Sequence, residues 1–312
     1  MQNKILPFKN LIEVANHFND KQTCLDYLIK LRWPNGATCP FCSHDKVYHL
    51  QGANKRYKCA KCRKHFSVTK GTIFENSVIP LQKWFVAIYL ITSHKKGISS
   101  VQLAKDVNVT QKTAWFMLQR VRHALKMRSF NSPEKIGNVV EIDETYVGGN
   151  DLNRHANKKK SAFDTKTIVL GAIERKGEVR LKVVPQATIE HIIPFVVKNI
   201  KTDSVLMTDE WTAYNRMGKV FEHLTVNHSQ GVYVQGSSHT NTIENFWGVL
   251  KRGIYGIYHQ VSAKHMQNYL EEFAFRFNNR KTTEAERFNK MVSLSKERIK
   301  YADLIRDVKK AS

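Results

Sequence analysis

Two pairs of cysteines constrain this chain more than any other feature. Cys39 and Cys42 are separated by two residues, as are Cys59 and Cys62, and sixteen residues lie between the pairs. Each CxxC turn directs two thiolates at one ion, and two such turns complete a tetrahedral all-sulfur site. Between the pairs, VYHL and NKRYKC have the pattern of short strands, joined by the turn-forming QGANK. The spacing therefore predicts a zinc ribbon that holds one structural Zn²⁺.

The alternative interpretation of these cysteines is a set of four buried or redox-active thiols. Redox CxxC motifs seldom come in twos, so we favour the metal site. The fifth cysteine, Cys24, lies in the apolar segment CLDYLIKL and is predicted to be a core residue. Four paired cysteines out of five indicate metal binding in a reducing compartment rather than disulfides.

The charge of the chain indicates a polyanionic partner. Its 312 residues include 50 Lys and Arg against 27 Asp and Glu, a formal net charge of +23. Nucleic acid and anionic membrane are the common partners of such an excess, and a basic surface without a partner is the alternative. No apolar run approaches the roughly 20 residues of a spanning helix, and the start MQNKILPFKN lacks an apolar signal core. We expect a soluble, cytoplasmic nucleic-acid-binding protein, not a membrane protein.

The segment after the cysteines has the pattern of a DNA-reading helical motif. In GISSVQLAKDVNVTQKTAWFMLQRVRHAL, a serine precedes a short helix, a turn follows at Val107–Val109, and Thr110 precedes a longer basic helix. This pattern predicts a helix-turn-helix, and a plain helical hairpin is the alternative. If the motif reads DNA, the start of the second helix faces base edges and its later arginines meet phosphates. The predicted base contacts are Gln111, Lys112 and Thr113, and the predicted phosphate contacts are Arg120 and Arg122.

From about residue 136 the pattern becomes strand-like. Three strands come first, in VVEIDETYVGG and in KTIVLGAIERKGEVRLKVVP, which turns at Lys176–Gly177. A helix, a short strand (SVLMTDE), a helical turn (WTAYNRM), a further strand (FEHLTVNH) and a helix follow. Three hairpin-linked strands followed by alternating helices and strands is the order of the RNase-H-like α/β fold. The sequence therefore predicts that fold, preceded by the zinc ribbon and the helix-turn-helix region.

Three acids stand at informative positions in this region. Asp143 is placed mid-strand, where a carboxylate is costly unless it is paired or holds a metal. Asp209 follows the apolar end of SVLMTD, where open α/β sheets place ligand-binding residues. Glu244 lies on a helix with Lys251 two turns further along the same stripe. The packing side of that helix is predicted to consist of Ile243, Phe246, Trp247 and Leu250.

Each acid has a plainer interpretation. Asp143 could be an acid on an exposed strand edge, Asp209 a helix cap, and Glu244 a residue on a solvent face. We favour function because all three occur in this order on one predicted fold.

The sequence resembles bacterial insertion-sequence transposases of the DDE type. The most similar branch is the fifteen-ninety-five group, which carries a zinc ribbon ahead of the catalytic domain. The likeness includes CPFC and CAKC, GTIFENSVIPLQKWFVAIYL, VEIDETYVGG, LMTDEWTAY, HTNTIENFWGVLKRGIYGIYHQVS and FAFRFNNR. The resemblance extends over nearly the whole chain.

The resemblance implies a role for each of these residues. Asp143, Asp209 and Glu244 match the first, second and third acids, which would hold two Mg²⁺ or Mn²⁺ ions, with Asp143 bridging both. Lys251 matches the basic residue seven positions past the third acid, and Arg252 beside it is predicted to contact DNA as well. Some relatives use Asn as the third ligand, so Asn241 is the competitor of Glu244. We favour Glu244 because a charged oxygen binds a hard cation better, which leaves Asn241 as a DNA contact or a support.

The implied activity is cleavage of the ends of a transposable element at terminal inverted repeats, followed by joining of the 3′-OH ends to target DNA. The implied partners are double-stranded DNA and a second copy of the chain, or more, at the bacterial nucleoid. The rivals are a non-enzymatic DNA-binding protein and a nuclease of the same fold that cuts without joining. The predicted divisions are an N-terminal helical segment, the zinc ribbon, the helix-turn-helix region, the catalytic domain and a helical tail, at 1–35, 36–75, 76–130, 136–282 and 283–312.

Overall fold

A computed structural model describes residues 8–52, 54–130, 134–148, 166–209, 221–226 and 240–305. The chain divides into two compact units, one formed by residues 1–128 and 281–312 and the other by residues 129–280. The helical turn predicted in WTAYNRM, at residues 211–217, lies outside the described residues.

Ten α-helices and eight strands lie within the described ranges. The helices are α1 Leu11–His17, α2 Lys21–Arg32, α3 Leu81–Ser93, α4 Ser100–Asp106, α5 Gln111–Phe130, α6 Ile189–Asn199, α7 Asn241–Gly253, α8 Ala263–Asn278, α9 Glu284–Ser293 and α10 Tyr301–Ile305. A π-helical turn, Ile254–Tyr258, follows α7 directly. The strands are β1 Val47–Leu50, β2 Arg56–Cys59, β3 His65–Phe66, β4 Val139–Val147, β5 Thr167–Glu174, β6 Val179–Val184, β7 Val205–Asp209 and β8 Glu222–Val226.

In the first unit, β1, β2 and β3 form a small antiparallel sheet beside the cysteines. The sheet packs on the end of α2 through aromatic rings, because Trp33 lies edge-on to Tyr57 and Tyr57 stacks on Phe66. Tyr57 and Phe66 are buried although the sheet is too small to form a core of its own. The ribbon is therefore supported by the helical part of the unit.

The helical core of the first unit is built around α3. Phe85 of α3 makes edge-on contacts with Phe18 and with Phe288 of α9. The hydroxyl of Tyr89 on α3 donates to Glu284 at the start of α9, at 2.9 Å. Residues from the C-terminal part of the chain thus complete a core that the N-terminal helices begin.

The second unit contains a five-stranded mixed sheet in the order β6-β5-β4-β7-β8. β4, β5 and β6 are antiparallel neighbours, whereas β7 runs parallel to β4, and β8 runs parallel to β7. The predicted turn at Lys176 connects β5 to β6, and Lys176 has a φ of +63°. β4 is the central strand of the sheet, so residues at its middle are enclosed by neighbours on both sides.

Helices cover both faces of this sheet. Val140 and Ile142 pack with Ile192 and Phe195 of α6 on one face. Val169 and Ile173 pack with α7 and α8 on the other, where Ile243, Phe246, Trp247 and Leu250 are all buried as predicted. Because successive strand residues point to opposite faces, Asp143 points to the α7 face. Within the described residues, no helix combines the length and apolar character needed to cross a membrane.

Candidate functional site

The four paired cysteines form one cluster. Their ligand atoms all lie within 4.8 Å of one another, with 3.6 Å between the sulfurs of Cys39 and Cys62 and 3.7 Å between those of Cys42 and Cys59. Backbone N–H groups point at the sulfurs in both knuckles, from Phe41 to Cys39 and from Cys62 to Cys59, each at 3.4 Å. Four converging sulfurs fit a structural zinc ion.

The electrostatics of the cluster are those of a site that needs a cation. Desolvation opposes ionisation of Cys59, but hydrogen bonds from the backbone N–H groups of Cys62 and Lys61 outweigh it and lower the pKa of the thiol to about 6. A backbone hydrogen bond with Lys64 lowers the pKa of Cys62, but desolvation and the neighbouring thiols outweigh it and raise the pKa to about 11. One thiolate therefore hinders the next, and a bound metal removes this repulsion.

Cys24 lies apart from this cluster, buried in α2 as predicted. Burial raises the pKa of its thiol to about 12, so it behaves as a small apolar core residue.

Helices α4 and α5 are joined by a tight turn at the predicted place. The hydroxyl of Ser99 accepts the N–H of Gln102 at the start of α4, and Thr110 does the same for Thr113 at the start of α5. Asn108 adopts a φ of +49° in the turn between the helices. At the start of α5, Gln111 and Lys112 are exposed and Thr113 is half-buried. Gln111 donates to the hydroxyl of Ser100 at 2.9 Å, and the ammonium group of Lys112 lies over the ring of Tyr301.

Arg120 and Arg122 lie elsewhere than the sequence analysis expected. Their side chains are buried, with relative exposures of 5% and 0%. The guanidinium of Arg120 donates to the carbonyl oxygen of Ile73 at 2.6 Å and lies over the ring of Phe116. The predicted phosphate contacts of these two arginines are therefore not supported, and both belong to the interior of the first unit.

In the second unit, one cavity is lined by two of the three predicted catalytic acids, Asp143 and Glu244, and by Lys251. Its volume is about 510 Å³ and its described lining consists of Asp143, Glu144, Thr145, Thr240, Glu244, Trp247, Gly248 and Lys251. Strand β4 contributes one wall and helix α7 the other. Three acids, Asp143 and Glu144 from β4 and Glu244 from α7, thus share one concave surface with Lys251.

The backbone register relates Asp209 to this cavity. The parallel ladder of β4 and β7 pairs Val139 with Val205 and Glu141 with Met207. The ladder ends at that pair, and the same register continued by two residues along both strands would bring the backbone of Asp209 opposite that of Asp143. Asp209 is the last residue of β7, as the sequence analysis predicted from the apolar run before it.

Helix α7 is fixed to β4 by a buried carboxylate that the sequence analysis did not single out. Glu141 has no exposed surface, and it accepts the backbone N–H groups of Thr242 and Ile243 at 2.8 and 3.0 Å. Arg175 forms an ion pair with it, with 2.8 Å between Nε and Oε1. An acid at a helix N-terminus satisfies donors that have no partner within the helix. The sequence held a signal for this role. Glu141 lies two residues before Asp143, and the two-residue period of a strand puts both acids on the same face.

This anchor determines where the side chains of α7 lie. Glu244 is exposed at the cavity, and its Oε1 accepts the hydroxyl of Thr240 at 2.9 Å. Lys251 lines the same cavity two turns further along, whereas the half-buried Asn241 does not belong to the lining. Arg252 is exposed beside Lys251. The geometry thus brings Glu244, rather than Asn241, to the wall that faces Asp143.

The donor set of the cavity suits a hard divalent cation. Asp143 and Glu244 offer carboxylate oxygens, which Mg²⁺ and Mn²⁺ prefer, and no sulfur or imidazole ligand stands among the described lining residues. The residues present therefore fit the ions that the resemblance implies. Among the side chains that the structure describes, the cysteine cluster is the only group of three or more His, Cys, Asp or Glu ligand atoms within 4.8 Å of one another, and the side chain of Asp209 is outside that set.

Comparison with protein families gives two matches. Residues 135–278 match the family described as ISXO2-like transposase domain, and residues 19–65 match the transposase zinc-ribbon domain. The first match spans the sheet of the second unit together with α7 and α8, and the second spans α2, the sheet strands β1 and β2, and all four paired cysteines.

Individual relatives agree with these matches. The chain is 27% identical over 276 residues to the "Uncharacterized protein in transposable element ISH50" of Halobacterium salinarum, covering 83% of this chain and 91% of that protein. It is 30% identical over 105 residues to an "Uncharacterized transposase-like protein" of Haemophilus influenzae, covering 33% of this chain and 84% of that protein. A pre-cleavage Mos1 transpososome matches at 12% identity and a TM-score of 0.27, over 65% of this chain and 75% of that one, which is too weak to support an inference.

Proposed function

Because the chain belongs to the family of insertion-sequence transposases with an ISXO2-like transposase domain, we propose that it cleaves the ends of its element and joins the 3′-OH ends to target DNA. One observation carries this proposal. Asp143 and Glu244, from a strand and from a helix, line one cavity with Lys251, and β7, which ends at Asp209, is the parallel neighbour of the strand that carries Asp143.

The arrangement of the second unit supports assigning it to the RNase-H-like fold. Three antiparallel strands are followed by two parallel ones in the order β6-β5-β4-β7-β8, with helices on both faces. In this assignment the first acid lies on the central strand and the second at the end of the adjacent parallel strand, so the fold itself brings them together.

Asp143, Asp209 and Glu244 are proposed to hold two Mg²⁺ or Mn²⁺ ions. When bound, such ions activate an oxygen nucleophile and neutralise charge at phosphorus. Asp143 and Asp209 would approach from neighbouring strands and Glu244 from α7, and Lys251 would bind a phosphate of the DNA end. Glu244 is exposed at the cavity and Arg252 is exposed on the same helix, and we propose that the DNA backbone approaches from this side.

Recognition of the terminal inverted repeats is assigned to the first unit. Gln111 and Lys112 are exposed at the start of α5, the position at which a helix-turn-helix contacts base edges. Thr113 is proposed as a third contact. The zinc ribbon would provide a further DNA or protein contact, and the net charge of +23 supports double-stranded DNA as the partner. Bringing two ends together needs at least two copies of the chain, so we propose a dimer or larger complex on the bacterial chromosome.

The test is an end-cleavage assay on duplexes that carry the element's own terminal repeats, in Mg²⁺ or Mn²⁺. Asp143→Asn, Asp209→Asn and Glu244→Gln keep the side-chain shape and remove a charge. We expect each to lower the cleavage rate at least about 100-fold, because catalysis depends on stabilising the developing charge.

Asn245→Ala is the matched control on the same helix, since Asn245 is exposed and does not line the cavity, and it is expected to retain cleavage. Loss of activity in Asn241→Ala together with survival in Glu244→Gln would assign the third ligand to Asn241 instead. Wild-type rates in all three acid variants would overturn the proposed site.

A further inference from the structure

The indole of Trp247 makes a directed contact with Asp143. Its Nε1–H donates to Oδ2 of Asp143 at 2.8 Å, while the backbone N–H of Glu144 donates to Oδ1 at 2.8 Å. One donor on each oxygen fixes the rotation of the carboxylate. A carboxylate oxygen accepts more than one contact, so these two hydrogen bonds do not by themselves exclude a cation from Asp143.

The position of the indole ring depends on the absence of a side chain at residue 171. Gly171 of β5 is the register partner of Asp143, and a Cβ added there would lie 2.5 Å from Cη2 and 2.6 Å from Cζ2 of Trp247. The ring thus occupies the space that any other residue at position 171 would fill. Trp247 is only 5% exposed and packs with Ile243 and Leu250.

We propose that Trp247 is a positioning residue that presets Asp143 for metal binding. Trp247 affects metal binding only by orienting Asp143, and the proposal therefore rests on the proposed role of Asp143 as a ligand. A carboxylate that is already oriented loses less rotational freedom when a cation binds. Hydrogen-bond partners behind a metal ligand typically change metal affinity by about 10- to 100-fold.

The pair Trp247 and Gly171 lets packing be separated from hydrogen bonding. Trp247→Phe removes the N–H and also the ring atoms nearest Gly171. Gly171→Ala then places a methyl group in the space that these atoms vacate, and the remaining close atom, Cδ1 of Ile243 at 3.1 Å, ends a flexible side chain. The double variant Gly171→Ala/Trp247→Phe therefore restores packing without restoring the donor.

The experiment measures Mn²⁺ affinity by calorimetry on the zinc-loaded full chain, together with the urea midpoint of unfolding. We expect Trp247→Phe to weaken Mn²⁺ binding about 10- to 100-fold. The double variant should recover the unfolding midpoint while its Mn²⁺ affinity stays low. Recovery of both quantities would show that Trp247 acts through packing alone and would overturn the proposal, as would unchanged Mn²⁺ affinity in Trp247→Phe.

A spectroscopic readout adds a test on the wild-type chain. Its five tryptophans give five indole N–H resonances, and the one missing in Trp247→Phe identifies Trp247. That resonance should shift when Mg²⁺ is added, and an unshifted resonance would contradict the proposal. The Asp143→Asn variant distinguishes a failure of the proposed metal site from a failure of the proposed role of Trp247. If Mn²⁺ binding to the wild type does not depend on Asp143, the proposed metal site fails, whereas wild-type affinity in Trp247→Phe overturns only the role of Trp247.

Discussion

At Asp143, the cost of a carboxylate in the central strand of a sheet is offset by donors from two directions. The indole of Trp247 and the N–H of Glu144 each reach one oxygen, and the absent side chain of Gly171 makes room for the indole. A buried charge is tolerated when it is hydrogen-bonded or holds an ion. Glu141, which has no exposed surface, is supported in the same way by backbone N–H groups of α7 and by Arg175.

The sequence singled out the three acids as candidates and predicted the packing face of α7, but it did not predict how the acids and the helix are connected. Trp247 was predicted to pack, and its burial confirms that, because helical periodicity reports which side of a helix is covered. Periodicity does not report what a buried N–H donates to. Glu141 and Gly171 escaped notice because the α7 residues that they contact, Thr242 and Trp247, are more than 70 residues away in the chain.

Lys251 provides a prediction at the scale of one residue. If it binds a phosphate of the DNA end, Lys251→Ala should weaken DNA binding and reduce the slope of log affinity against log salt by about 0.9. Lys251→Arg should keep the slope because the charge is retained. The measurement is fluorescence anisotropy on a labelled end duplex over a range of salt concentrations.

Lys182→Ala, on the edge strand β6, is the matched control, since Lys182 is exposed and does not line the cavity. An equal loss of slope in Lys182→Ala and Lys251→Ala would argue that Lys251 contributes only to the overall charge.

At the scale of elements, the docking of α7 on β4 decides the geometry of the site. Thr240 precedes the helix, but the first backbone donors of α7 are satisfied by Glu141 from the strand. Because Glu141 and Asp143 lie on the same face of β4, the helix that carries Glu244 begins beside the first acid. The buried carboxylate of Glu141 thus determines the distance between β4, which carries Asp143, and α7, which carries Glu244.

We predict that Glu141→Ala destabilises the chain by about 3 kcal/mol, because it leaves Arg175 without its buried acid and exposes two helix donors. The measurement is urea unfolding followed by circular dichroism. Glu178→Ala is the control, since the Glu178 partner of Arg180 is 44% exposed and such pairs contribute about 1 kcal/mol or less. Equal effects of the two substitutions would contradict the anchoring role of Glu141.

Helix α5 shows where element-level reasoning from the sequence fails. Its capped start and its turn from α4 were predicted correctly, because Ser99 and Thr110 are local signals. Arg120 and Arg122 were expected at the surface, yet α5 is covered on more than one side. Long aliphatic stems allow arginine to be buried when its head group finds carbonyl oxygens, as at Ile73. A sequence pattern does not show which carbonyl oxygens are available, so it predicts that an arginine is exposed to solvent.

At the scale of the whole molecule, the chain divides into two units, and the first combines residues 1–128 with residues 281–312. Residues near the C-terminus join the N-terminal unit, where Phe288 packs on Phe85 and Arg298 forms an ion pair with Glu75 at 3.2 Å. Long-range closure of this kind has no local sequence signal. The cysteine spacing, in contrast, predicted the ribbon, because four thiolates around one ion leave few geometries.

The ribbon allows a prediction about zinc. Cys59→Ser should lose the one zinc ion per chain and unfold the ribbon, because binding of structural zinc supplies roughly 10 kcal/mol of folding free energy. The measurements are metal content by mass spectrometry and near-ultraviolet circular dichroism of the Trp33 and Tyr57 pair. Cys24→Ala is the control, and it should keep its zinc because Cys24 lies outside the cluster. Full zinc content in Cys59→Ser would contradict the all-cysteine site.

The most direct test of the central claim is a joining assay with a donor duplex that already ends in a free 3′-OH at the terminal repeat. Wild-type protein in Mg²⁺ should join this donor to a target plasmid, and chelation of Mg²⁺ should stop the reaction. Asp143→Asn should fold, bind the donor and form no joined product. Joining by Asp143→Asn at the wild-type rate, or cleavage of DNA by the wild type without any joining, would contradict the account.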